Sequence, residues 1–180
     1  GKGRCNVTNN ADLETLLANT PKNGKFLYSA FSKFDGRDAM AFFEKIGVPC
    51  VLVTSDASGL GFSNLSSVTT DDALAAKTAV EALVSMGHRN IALIGGDRNN
   101  SGIVKLRYQG CVEAFREQGM DFDEELDYET ARFSFEDGYR AARNLLARGR
   151  KFTAIFAMSD VMAIGAIRAL RDSGLRVPED

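Results

Sequence analysis

The stretch Ser85 to Gly96, SMGHRNIALIGG, decides the fold. Within it Asn90 to Ile94 (NIALI) is a short, nearly unbroken apolar run, the pattern of a strand buried on both faces. Gly87 stands just past a helical stretch, where glycine commonly ends the last turn, and Gly95-Gly96 closes the strand. A buried strand set between helical stretches is the unit of an α/β fold with parallel strands.

The same rhythm runs outward in both directions. Downstream, Ser101 to Gln118 reads as a helix, with Val104, Tyr108, Val112 and Phe115 at helical spacing. Leu126 to Thr130 then reads as a strand and Ser134 to Ala147 as a helix. Its opening, Ser134 to Asp137, has capping-box spacing with Asp in place of Glu or Gln. Thr153 to Met158 is a strand, and Asp160 to Arg171 a helix closed by Gly174. Upstream, Thr69, Thr70 and Asp71 cap a helix whose apolar face carries Ala76, Val80, Leu83 and Val84. Leu65 to Val68 is extended, and the glycine-bearing Ser55 to Ser63 reads as a loop and a boundary between lobes. Pro49 to Thr54 and Lys25 to Ala30 read as strands. Gly36 to Ile46 reads as a helix with Ala39, Phe42, Phe43 and Ile46 on one face, stopped by Gly47. Asp12 to Ala18 is the weakest helical pattern. Strands and helices alternating with short links imply parallel strands joined by right-handed crossovers.

Composition narrows the function. The chain has 180 residues, 44% hydrophobic and 26% charged, with a formal net charge of -2. That length suits one large domain or two small ones, and the charge argues against DNA binding by a basic surface alone. No apolar run approaches the roughly 20 residues of a spanning helix, and Gly1 to Asn10 lacks the apolar core of a signal peptide. Cys5, Cys50 and Cys111 are odd in number and form no C-x-x-C, which argues against a disulfide framework or zinc site and fits a reducing, cytoplasmic compartment. His88 is the single histidine, so neither a metal nor a cofactor is expected.

In open parallel sheets, ligands sit beyond the carboxyl ends of the strands. The residues to inspect are therefore Thr54-Ser55, Gly95 to Ser101, Arg132-Phe133 and Ser159-Asp160. None forms a catalytic set: there is no nucleophile elbow, P-loop lysine or G-x-G-x-x-G. Gly95-Gly96 looks like a phosphate loop, but its simpler reading is that it lets the chain turn.

Four ordered blocks resemble one family. Ser85 to Gly96 resembles the LGHRRIGFIGG block of the lac-repressor/gal-repressor (LacI/GalR) transcription regulators, and Arg107-Tyr-Gln-Gly110 their R-x-x-G helix motif. Phe152 to Leu170 resembles PTAIFAxNDxMAxGAxRAL, and Gly174 to Asp180 matches GLRVPED. The resemblance runs from about Gly47 to Asp180. It implies a periplasmic-binding-protein-like type I effector domain: two α/β lobes closing on a small metabolite, often a sugar. On that frame residues 1–65 are part of the N-terminal lobe and 66–180 the C-terminal lobe. The family's DNA-binding helix-turn-helix headpiece, its first sensor strand and helix, and a later D-D pair are then expected to lie outside this sequence. The runner-up is a solute-binding protein of an uptake transporter, which shares the fold.

The resemblance also assigns residues. Arg107 takes the place of the family's ligand-gripping arginine, whose planar fork can donate paired hydrogen bonds. Phe133 falls where an aromatic ring stacks on the effector. Ser159 stands where asparagine is usual, ahead of Asp160, and both are also natural helix caps. Apart from the resemblance, Ser101, opening the Arg107 helix, is a further contact, because amides at a helix start attract anions. Thr54-Ser55 replaces a D-R pair, which removes a strong polyol clamp and argues against a ribose-like or galactose-like effector. Ala163, Ile164 and Ile167 lie on a helix that forms the family's homodimer interface, with Leu170 on the same face and Met162 beside it. The expected partners are thus a small-molecule effector, a second copy, and operator DNA reached only through a headpiece.

Overall fold

The computed structural model describes residues 12–18, 20, 22–53, 56–99 and 102–180. These fall into two compact units that divide after Thr70. In the first, α1 (Leu13–Ala18), α2 (Gly24–Phe31) and α3 (Gly36–Lys45) precede β1 (Cys50–Val53) and β2 (Leu65–Val68). The two strands pair in parallel, Cys50 opposite Leu65 and Val53 opposite Val68. This pairing keeps all of Leu65–Val68 with the first unit.

Lys25 to Ala30, expected as a strand, is helical within α2. Gly24, Leu27 and Phe31 are its half-buried positions, a spacing of three and four that only a helix turns to one side. In so short a run the aromatic residues mimic a strand. In α3 the Asp35 carboxylate accepts from the amides of Arg37 and Asp38, and Asp38 reciprocates, completing a capping box. This helix buries Gly36, Ala39 and Met40. Phe42 and Ile46, expected on that face, are exposed, because the buried stripe runs one position away from them.

The second unit contains α4 (Asp72–Ser85), β3 (Ile91–Gly95), α5 (Gly102–Glu117), the single turn α6 (Glu124–Asp127), β4 (Tyr128–Thr130), α7 (Phe135–Ala147), β5 (Ala154–Ala157) and α8 (Asp160–Asp172). The sheet order is β4-β3-β5, all parallel. Leu126 and Asp127, read as strand, close α6 instead, because the Asp123 carboxylate takes the amides of Glu125 and Leu126 and starts a helical turn there. Every residue of the central strand β3 is buried, as its unbroken apolar run requires. Its core partners include Ala76 and Val80 of α4, Cys111 and Phe115 of α5, Leu145 of α7 and Met162 of α8.

The chain leaves β3 toward β4 on one side and then crosses β3 to reach β5. Right-handed crossovers in opposite directions place α5 and α7 on opposite faces. Helix α4 packs on α5, and α8 on α7. The connections after β3 and β5 therefore diverge to different faces, opening a crevice at their carboxyl ends.

Candidate functional site

That crevice is built around Gly95 and Gly96. Neither has a positive φ, so the turn itself does not require glycine; close approach does. A Cβ on Gly95 would lie 2.5 Å from the Met158 sulfur and on Gly96 2.8 Å from Val104 Cγ2 and 3.1 Å from Phe133 Cε2. The pair is thus the floor over which Phe133 and Met158 pack. Phe133, on the loop after β4, is 51% exposed. One part of the ring covers Gly96 and the rest is open, which is unlike a core phenylalanine and leaves a face for stacking. Phe135, two residues further on at the start of α7, is also exposed, at 38%.

Arg107 enters from α5, one turn after the buried Val104. Its Nε donates to Asp72 Oδ1 at 2.7 Å and its Nη1 to the Met158 carbonyl at 2.5 Å. The guanidinium therefore sits against the chain that leaves β5, at the divergence of β3 and β5. Among the described residues, two of its five N–H groups have partners, so the fork can donate further hydrogen bonds. Gly110, one turn further, makes this possible: a Cβ there would lie 2.0 Å from the Ala73 carbonyl oxygen, so only glycine lets α5 come this close to the first turn of α4.

Ser159 is the N-cap of α8, its hydroxyl accepting from the Met162 amide at 3.4 Å. Its own O–H remains able to donate. Asp160 is exposed in the first turn and is not the cap. Ser134 caps α7 by accepting from the Asp137 amide. The expected box closes only on that side, because Asp137 Oδ2 turns to the Arg132 amide and Nε, the latter at 2.7 Å. The Arg132 hydrogen bond holds the Asp137 carboxyl below the usual carboxylate range. Arg98, on the loop after β3, lies 4.6 Å from the Tyr108 ring centre and 5.0 Å from that of Tyr128, and pairs with Glu124 at 2.8 Å. Burial pushes the Tyr128 hydroxyl above its ordinary range, and it donates to the Gly96 carbonyl at 2.6 Å.

The structure thus brings Arg107, Phe133, Ser159 and Asp160 to one sheet edge. Thr54 and Ser101 lie outside the described residues. On α8, Ile164 is 58% exposed, while Ala163 and Ile167 are half-buried. Ile164 and Ile167 line a shallow depression with Phe135 and Tyr139 of α7. Helix α8 faces the core through Met162, Gly165, Ala166 and Ala169.

Sequence reading missed Asp72. It occupies the same stripe as Ala76, Val80 and Val84, at successive intervals of four, and an ionisable group on a buried stripe must find a partner. That spacing was the available signal.

Comparison with known proteins gives a consistent picture. The model of the periplasmic binding protein-like domain matches residues 80–180. The HTH-type transcriptional regulator DegA of Bacillus subtilis (strain 168) is 38% identical over 149 residues, covering 81% of this chain and 42% of DegA. A structure of a LacI-family transcriptional regulator from Enterococcus faecium with bound ribose superposes with a TM-score of 0.65 at 30% identity, covering 79% of this chain and 51% of that one. A complex of the transcriptional regulator CelR with cellobiose gives a TM-score of 0.65 at 35% identity, covering 82% of this chain and 44% of CelR. The chain spans about half the length, or less, of the relatives it matches.

Proposed function

The chain belongs to the family of periplasmic binding protein-like domains, in the form used as the effector domain of LacI/GalR regulators, and from that membership we propose that it senses a small metabolite for a transcription regulator. The effector docks at the carboxyl edge of the β4-β3-β5 sheet. Arg107 donates its remaining N–H groups to effector oxygens, Phe133 stacks on an apolar face, and Ser159 donates its hydroxyl. Asp160, Thr54 and Ser101 complete the contacts. The two units, dividing after Thr70, act as parts of two lobes whose closure depends on the effector. A second copy docks through Ala163, Ile164 and Ile167, and passes the change in closure to a DNA-binding headpiece. The setting is the cytoplasm, where operator DNA is found.

One observation carries this reading: the Arg107 fork is held at the same edge as the half-open Phe133 ring. The relatives' bound sugars, ribose and cellobiose, support a hydroxyl-rich effector. The test is a thermal-shift screen of sugars, phosphosugars, nucleobases and amino acids. A binder at a hundred times its Kd stabilises the fold by about 2.7 kcal/mol. Arg107→Ala and Phe133→Ala each reduce that shift; if neither does, the site lies elsewhere.

A further inference from the structure

We propose that Asp72 sets the charge specificity of this edge, cancelling the Arg107 charge so that the site takes an uncharged effector and turns away phosphorylated or carboxylate ones. The inference rests on the effector site proposed above and adds to it the class of molecule excluded.

The Asp72 and Arg107 side chains are 12% and 32% exposed, and their 2.7 Å contact is charge-assisted. An anion gripped by arginine needs paired N–H groups and an uncompensated positive charge. Here Nε is already given to a carboxylate and Nη1 to the Met158 carbonyl. A phosphate drawn to the remaining N–H groups would come close to the Asp72 carboxylate in a poorly solvated site, where like charges repel strongly. The neighbouring cations do not restore a positive field. Arg98 is held by Glu124 at 2.8 Å; Arg132, which shares the Asp137 carboxylate with Arg140, is 91% exposed, so water and salt screen its charge; and Asp160 adds another carboxylate on the first turn of α8. Helix starts ordinarily attract anions, but Ser134 and Ser159 already occupy amides at the starts of α7 and α8. A hydroxyl needs only a donor and an acceptor, which the free N–H groups and the Asp72 carboxylate supply together.

The placement of Asp72 is specific. Arg107 and Gly110, one turn apart on α5, close on Asp72 and Ala73, one by the ion pair and the other by backbone approach. The carboxylate is thereby fixed beside the guanidinium.

The experiment compares the wild-type chain with Asp72→Asn, which keeps the side-chain shape and an acceptor but removes the charge. Titration calorimetry at constant ionic strength uses inorganic phosphate as the anion probe. Asp72→Asn is expected to bind phosphate at least about tenfold more tightly than wild type, a difference of about 1.4 kcal/mol, and Arg107→Ala added to it abolishes the gain. A merely structural ion pair would not produce this anion-specific gain. Equal phosphate affinity in the two proteins would overturn the proposal. Should Asp72→Asn not fold, the wild type alone decides: among the sugars and phosphosugars of the screen, the uncharged members are expected to give the larger thermal shifts, and larger shifts from the phosphosugars sink the idea. The two levels separate through Arg107→Ala. If it leaves every shift in the ligand screen intact, the site reading has failed; if it removes the shift while the wild type prefers phosphosugars, only the role of Asp72 has.

Discussion

Gly96 illustrates how one missing atom organises the edge. Val104 Cγ2 would lie 2.8 Å from a Cβ there, and Phe133 Cε2 3.1 Å, so alanine must push one of them aside. Gly96→Ala is expected to cost about 1–3 kcal/mol and to weaken effector binding about tenfold or more as the ring tilts. Denaturant unfolding beside calorimetry checks both. Asp137 gives a pH signature. Its folded-state pKa is lowered, with the Arg132 hydrogen bond as the main cause, so its contribution is present above the ordinary aspartate value of about 3.9 and fades as pH falls below it. Unfolding midpoints of wild type and Asp137→Asn should differ at neutral pH and draw together as pH falls below the ordinary aspartate value of about 3.9; a gap constant with pH would contradict the pairing. Cys111 is fully buried, and desolvation pushes its thiol up to about 12. It should resist alkylation at pH 8 until the protein is unfolded, as mass spectrometry of labelled peptides would report.

At the scale of elements, glycine spacing sets the helix pairs. A Cβ on Gly165 of α8 would lie 2.2 Å from the Phe135 carbonyl oxygen and 2.7 Å from the Tyr139 amide nitrogen of α7, and one on Gly138 2.4 Å from the Met162 carbonyl oxygen. The obstacles are backbone, which cannot swing away. Gly165→Ala should therefore destabilise by about 3 kcal/mol or more, measured by denaturant unfolding. These elements also show what a sequence can and cannot disclose. Ile91 to Ile94, the stripe of α4, and the caps Asp71 and Ser134 were legible because burial and capping leave local periodic marks. Arg107, Phe133 and Ser159 were legible as a set only through family resemblance, since three distant segments meet there. Lys25 to Ala30 misled because six residues carry too few turns to separate period two from period 3.6. The half-formed box at Ser134 could not be foreseen, because the competitor for Asp137, Arg132, acts from outside the motif.

At the scale of the molecule, a β4-β3-β5 order with connections diverging from β3 and β5 makes a crevice before any ligand chemistry is considered. Arg107 fills the wall of that crevice and Phe133 its lip, which is why sequence-distant residues converge there. The apolar groove beside β5, lined by Phe152, Thr153, Leu175 and Pro178 among others, is a separate hollow in the same unit. The two make opposite demands on one measurement. Backbone amide shifts of the labelled 19.5 kDa chain, followed by NMR as the strongest ligand from the screen is added, map where it sits. The effector-site account predicts saturable changes at Gly96, Phe133 and Ser159. Changes confined to Phe152–Thr153 and Leu175–Val177 would contradict it.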